Sequence, residues 1–124
     1  MNNTIYLVDD SKVIRQIVTH LLEESGHTVL PLNSAEQCLD TLTMQEDDPA
    51  CLLVDLDMPG MNGAQLLQRL AEKDRHIPTV VITGNPTSRL ANEARACGVQ
   101  HVLEKPFDAG KLREAIEEAT LLAA

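Results

Sequence analysis

Five polar residues stand where short apolar runs stop: Asp9 and Asp10 follow TIYLV, Asp55 follows ACLLV, Thr83 closes TVVIT, and Lys105 follows VQHVLE. If these runs are strands of one parallel sheet, their carboxyl ends point the same way and the five residues meet at one rim, where ligands bind in open α/β sheets. Three carboxylates crowded there would repel, and Lys105 offsets only one charge, so a hard divalent cation is the economical resolution. Mg2+ takes oxygen ligands in an octahedral shell that keeps several waters. Asp10 and Asp55 are expected to bind it directly, Asp57 through its backbone carbonyl, and Asp9 directly or through water. A carboxylate so placed can act as a nucleophile toward phosphorus, forming an acyl phosphate, once charge on the transferring oxygens is stabilised. Asp55 is the candidate nucleophile, with the Thr83 hydroxyl and the Lys105 ammonium facing those oxygens. Asp57, Asn85 and Pro86 flank the rim and are candidates for controlling how water reaches such a group.

Each residue also has a plainer reading. An Asp-Asp pair can simply begin a helix, where carboxylates meet free amides. Asp55 can be a solvated loop acid, Thr83 a strand residue chosen for its β propensity, and Lys105 a surface charge that blunts a strand edge. The conjunction of acids at the ends of two strands with the other two residues favours the chemical reading. His20, His27, His76 and His101 have no mutual metal-ligand spacing. Met58, Pro59 and Met61 read as loop packing.

The elements that must position these residues alternate. TIYLV is a strand; Val13, Ile14, Ile17, Val18, Leu21 and Leu22 then recur at three-to-four spacing before Gly26, predicting a helix with that set buried. Thr28 to Leu32 is a strand candidate placed at a sheet edge by Pro31. Asn33 and Ser34, followed by Glu36 and Gln37, start a second helix with Cys38, Leu39 and Leu42 inward, fading near Asp47 to Pro49. ACLLV and TVVIT are continuously apolar, as strands covered on both faces are. Between them lie the turn residues Pro59, Gly60, Asn62 and Gly63 and a helical face of Leu66, Leu67, Leu70 and Ala71. Asn85 and Pro86 are expected to cap and open a fourth helix lined by Leu90, Ala94 and Cys97. VQHVLE is the fifth strand, and a last helix from about Asp108 turns Leu112, Ala115, Ile116 and Ala119 inward. Five strands alternating with five helices make one doubly wound α/β domain over residues 1–124.

The chain has 124 residues, 44% of them hydrophobic, enough for one core and too few for two. Its formal charge is -9 at pH 7, from 10 Lys and Arg against 19 Asp and Glu. Such a field disfavours phosphate backbones and anionic lipid, and one Tyr, one Phe and no Trp offer no platform for stacking bases. Direct nucleic-acid and membrane binding by this segment are therefore not expected. Cys38, Cys51 and Cys97 are odd in number and sit among apolar residues, which reads as small buried hydrophobes in a reducing, cytoplasmic setting.

The pattern Asp9-Asp10, then Leu53-Val54-Asp55-Leu56-Asp57-Met58-Pro59-Gly60-Met61-Asn62-Gly63, then Thr83-Gly84, then Lys105-Pro106-Phe107, resembles the receiver domain of a bacterial two-component response regulator, in family order and spacing across the chain. The resemblance implies a (βα)5, flavodoxin-like and CheY-like fold with strand order 2-1-3-4-5. It implies Asp55 as phosphoacceptor, Asp9 and Asp10 as the acidic Mg2+ pocket, Thr83 as the hydroxyl switch, and Lys105 as the family lysine, preceding a cis Pro106. Gly84 resembles the small family residue that leaves the phosphoryl pocket open. Implied partners are a histidine kinase or histidine phosphotransfer protein, docking on the first helix near Ile14, Arg15 and Val18, and an output domain or downstream protein. A phosphorylation-dependent homodimer and a DNA-binding output region after ATLLAA stay open. Receivers that couple through a rotating aromatic place Tyr or Phe three residues before the lysine; here that residue is Val102, after His101, and a Val cannot make the same swing.

Two other functions compete. Asp55-Leu56-Asp57 superficially supplies the nucleophile and acid/base of a haloacid-dehalogenase-type phosphatase, but that class has its nucleophile after the first strand, whereas here the acidic pair comes first. A docking module without phosphotransfer would use the same fold as a static surface. A receiver would catalyse its own phosphotransfer and dephosphorylation without being a multiple-turnover metabolic enzyme.

Overall fold

The computed structural model describes residues 3–123. Its elements are β1 (Thr4–Val8), α1 (Lys12–Glu24), β2 (Thr28–Leu32), α2 (Ala35–Met44), β3 (Cys51–Asp55), α3 (Gly63–Glu72), β4 (Thr79–Thr83), α4 (Arg89–Ala96), β5 (His101–Glu104) and α5 (Ala109–Ala123). The strands form one five-stranded sheet in the order β2-β1-β3-β4-β5, and every pairing is parallel. β2 lies at the edge, as the missing amide of Pro31 requires. The ATLLAA segment expected to end the last helix runs to Ala124, which lies outside the described residues.

Alternation within the buried strands sends successive side chains to opposite faces. Ile5, Leu7, Cys51, Leu53, Val80 and Ile82 meet α1 and α5 through Val18, Leu22, Leu112, Ile116 and Ala119. Tyr6, Val8, Leu52 and Val54 meet α2 and α3 through Ala35, Cys38, Leu42, Leu66 and Leu70. A third cluster joins Leu56 and Val81 to Leu67 and to Ala91 and Ala94 of α4. The three-layer arrangement buries both faces of β1, β3 and β4, which is why these strands read as unbroken apolar runs.

Three local expectations are corrected. Val13 and Ile17 are 61% and 52% exposed, because α1 rests on the sheet through Ile14, Val18, Leu21 and Leu22 and its apolar stripe is wider than that contact. Ala71 is exposed at the end of α3, whereas Ala64, the second residue of the helix, is buried. Asn85 does not cap α4: its side chain closes a local turn by accepting from the Thr87 amide and hydroxyl, and Ser88 caps the helix, accepting from the Ala91 amide. Ser11, Ser34 and Asn62 cap α1, α2 and α3, and Asn62 forms a reciprocal capping box with Gln65.

Cys38 and Cys51 are fully buried, which pushes both thiols up to about 12, whereas Cys97 ends α4 at the edge of the core. His20, His76 and His101 lie beside Glu24, Asp74 and Glu118 respectively. Arg75 holds the loop before β3 by donating to Asp48 and to the carbonyls of Leu42 and Gln45. No described helix is long and apolar enough to cross a membrane.

Candidate functional site

The sheet ladder runs past its formal ends and carries the polar residues to one rim. The Asp9 amide donates to the Leu32 carbonyl at 3.1 Å, the Leu56 amide to Ile82 at 3.0 Å, and the Lys105 amide to Thr83 at 2.9 Å. Asp55 and Thr83 are the last residues of β3 and β4, in register with Ile82 and Glu104. The Lys105-Pro106 bond is cis.

One carboxylate oxygen from each of Asp9, Asp10 and Asp55 lies within 4.8 Å of the others. Asp9 and Asp55 are 1% and 3% exposed, and Asp10 faces solvent. Lys105 Nζ is 3.4 Å from Asp55 Oδ1 and itself a third exposed. Burial raises the Asp9 carboxyl above its usual range, opposed by the Ser11 amide, Lys105 and Arg15. Burial also raises Asp55, opposed by the Asp57 amide and by Lys105, while Asp9 adds to the rise. The two buried acids thus resist ionisation in the protein alone.

This donor set fits a hard divalent cation. Asp9 Oδ1 accepts from the Ser11 amide at 2.9 Å, but Asp9 Oδ2 is buried with no hydrogen-bond partner among the described residues. A buried, unsatisfied carboxylate oxygen is costly, and a cation shared with the neighbouring acids satisfies it. Three carboxylate oxygens this close to one another could share one hard cation. An all-oxygen set suits Mg2+ rather than a thiophilic metal.

Asp57 divides its groups between two neighbours. Its amide donates to Asp55 Oδ1 at 3.0 Å, whereas its carboxylate stands outside the acidic trio and its Oδ2 lies 3.4 Å from the Thr83 hydroxyl. Thr83 Oγ1 also lies 3.4 Å from the Asn85 carbonyl and accepts from the Asn85 amide at 3.1 Å. Thr83 is 1% exposed, so its side chain is buried at the rim.

Two contributors were not legible as such. Arg15, expected on a partner surface, donates instead to the Asp9 carbonyl at 2.7 Å and ties α1 to the acidic loop. Gly63, read as a turn residue, is the first residue of α3 and packs against β3, where a Cβ would meet the Asp55 carbonyl oxygen at 2.7 Å. A glycine directly after a cap residue, where a better helix former would serve, is the signal for such an approach. At Gly84 a Cβ would meet nothing within 4 Å, so the space beside Thr83 is open. Val102 pairs with Val81 and packs, half-buried, into the cluster under α4.

Residues 5–117 match the family described as the response regulator receiver domain. The chain belongs to that family. This receiver is 37% identical over 116 residues to the sensory/regulatory protein RpfC of Xanthomonas campestris, covering 90% of this chain and 16% of that protein. It is 35% identical over 117 residues to the transcriptional regulatory protein FixJ of Rhizobium meliloti, covering 94% of this chain and 56% of that protein. The crystal structure of FixJ-N superposes with a TM-score of 0.88 at 34% identity, covering 98% of this chain and 95% of that one. The receiver thus spans about half or less of the length of these two curated relatives. Its Asp9, Asp10 and Asp55 make the acidic Mg2+ pocket of receiver domains, typical of phosphorelay switches. Family membership displaces the phosphatase reading, whose motif order the sheet also lacks.

Proposed function

We propose that Asp55 of this receiver accepts a phosphoryl group from a phosphohistidine on a histidine kinase or phosphotransfer protein, and that the modified rim alters contacts with an output domain or downstream protein. The observation that supports this most is the meeting of three carboxylates, one of them with a buried unpartnered oxygen, beside a single lysine at the ends of β1 and β3.

Asp9, Asp10 and Asp55 would hold Mg2+, with the Asp57 carbonyl as a further oxygen donor. Bound there, Mg2+ neutralises carboxylate charge and the charge on the phosphoryl oxygens. An Asp55 carboxylate oxygen attacks phosphorus, the phosphorus–nitrogen bond breaks with its electron pair returning to the imidazole, and an acyl phosphate forms on Asp55. The Asp57 amide, 3.0 Å from Asp55 Oδ1, fixes the carboxylate during attack. Lys105, whose Nζ lies 3.4 Å from the same oxygen, is placed to pair with a transferred phosphoryl oxygen. The Thr83 hydroxyl, at the end of the neighbouring strand, turns to another.

Radiolabelled phosphoryl transfer from a phosphohistidine donor tests this reading. Wild type labels with Mg2+ and loses the label on chelation, and Asp55→Asn takes none. Undiminished, acid-stable label on Asp55→Asn overturns the assignment.

A further inference from the structure

The Thr83 hydroxyl has one proton to donate, and in this structure two acceptors share it, Asp57 Oδ2 and the Asn85 carbonyl, each at 3.4 Å. One of its two lone pairs accepts from the Asn85 amide at 3.1 Å. The hydroxyl therefore has no proton left over for a phosphoryl oxygen on Asp55 unless it lets go of these acceptors. Of the two, Asp57 is the stronger, because it is a carboxylate and the other a neutral carbonyl.

From this geometry we infer that the Asp57 side chain is a resting-state latch on Thr83, and so a positioning residue for the switch. This inference rests on Asp55 being the phosphoacceptor. The backbone of Asp57 grips the Asp55 carboxylate through its amide while its side chain holds the Thr83 hydroxyl. One residue thereby joins the acceptor to the responding group. A phosphoryl on Asp55 and the carboxylate of Asp57 then compete for the same hydroxyl proton, and the latch opposes the phosphorylated arrangement. Asp57 is exposed, so its removal leaves no cavity in the core.

Loss of the Asp57 carboxylate also removes a negative charge near the phosphoryl group, which by itself would favour the phosphorylated state. A double-mutant cycle separates the two effects, because charge repulsion persists without the Thr83 hydroxyl whereas the latch does not. Beryllofluoride, which adds to a carboxylate as a phosphoryl analogue, is the probe. Its half-saturating concentration in the presence of Mg2+ is read from amide NMR shifts on wild type, Asp57→Ala, Thr83→Ala and the double variant. The Asp57→Ala substitution keeps the backbone amide and carbonyl, and Thr83→Val provides a second hydroxyl-free background of nearly unchanged shape.

The expected result is that Asp57→Ala tightens binding about five-fold more with Thr83 present than in either hydroxyl-free background, the size of one net hydrogen bond. Asp57→Asn, which retains an acceptor oxygen, falls between wild type and Asp57→Ala. Equal tightening in all backgrounds overturns the latch and leaves only charge repulsion. No beryllofluoride binding to wild type overturns the phosphoacceptor reading itself, and the latch with it.

Discussion

A Cβ on Gly63 would stand 2.7 Å from the carbonyl oxygen of Asp55, so α3 begins in contact with the backbone of the residue that carries the chemistry. The same atom would meet Leu56 Cα and Val54 Cγ1 at 2.9 Å, and the Gly63 amide donates to Leu56 at 3.2 Å. These contacts close the loop of residues 57–62 against β3. Gly63→Ala must therefore push α3 off the strand or displace Asp55, and it is expected to cost about 1–3 kcal/mol, as overpacking does. Gly84→Ala is the control, because a Cβ there meets nothing within 4 Å, and it should stay within about 0.5 kcal/mol of wild type. Urea denaturation of both variants gives the comparison; equal stabilities would refute the close-approach account.

Lys105 faces the acids that would hold Mg2+, so it competes with the metal for the same charge. Lys105→Ala is expected to tighten Mg2+ binding by a few-fold, a modest gain because the lysine is 34% exposed and screened. The variant should at the same time lose the conformational response to phosphorylation. Calorimetric Mg2+ titration alongside amide NMR of the phosphorylated protein reads both, and weaker Mg2+ binding would contradict the competition.

Asp9 and Asp55 both have carboxyls raised by burial, and the sign of the pH effect follows. Between the ordinary carboxylate range and the raised values the native state holds more protons than the unfolded chain, so stability without metal falls as pH rises through that window. Above it, Asp55→Asn is expected to stabilise the metal-free protein by roughly 1 kcal/mol or more, because a buried charge among like charges is removed. Added Mg2+ should stabilise wild type more than the variant. Thermal melts from acid to neutral pH, with and without Mg2+, check this; a metal-free Asp55→Asn less stable than wild type at neutral pH would contradict it.

Val13 and Ile17 are the exposed apolar residues of α1, whereas Val18 is 2% exposed and Ile14 packs on the core. A protein donor docking on this helix beside Asp10 would rest on Val13 and Ile17. Val13→Ser with Ile17→Ser is expected to slow transfer from a protein phosphohistidine donor about ten-fold, the scale of losing one good apolar contact, and to leave labelling by a small acyl phosphate unchanged. Equal slowing with both donors would remove the docking role.

Element types and the rim were legible because continuous apolar strands and their acidic or hydroxyl endings both follow from burial on two faces, whereas the strand order came from the family resemblance. Local periodicity cannot say how wide a helix contact is, which is why Val13 and Ile17 were placed inward. The Asn85-Pro86 pair carries the chemistry of both a cap and a turn, and Ser88 took the cap. Contacts that depend on loop path were out of reach: Arg15 on the Asp9 carbonyl, the Asp57 carboxylate on Thr83, and Arg75 across to Asp48. The absence of an aromatic at Val102 was plain in the sequence, and the structure places this residue half-buried in the cluster under α4.

The most direct test of the phosphoacceptor assignment is to phosphorylate the intact receiver with Mg2+, trap the acyl phosphate by borohydride reduction, and map the modified residue by peptide mass spectrometry. The account predicts a single modified residue, Asp55, and none after chelation. Modification mapped to Asp9, Asp10 or a histidine, or persisting without divalent cation, would contradict it.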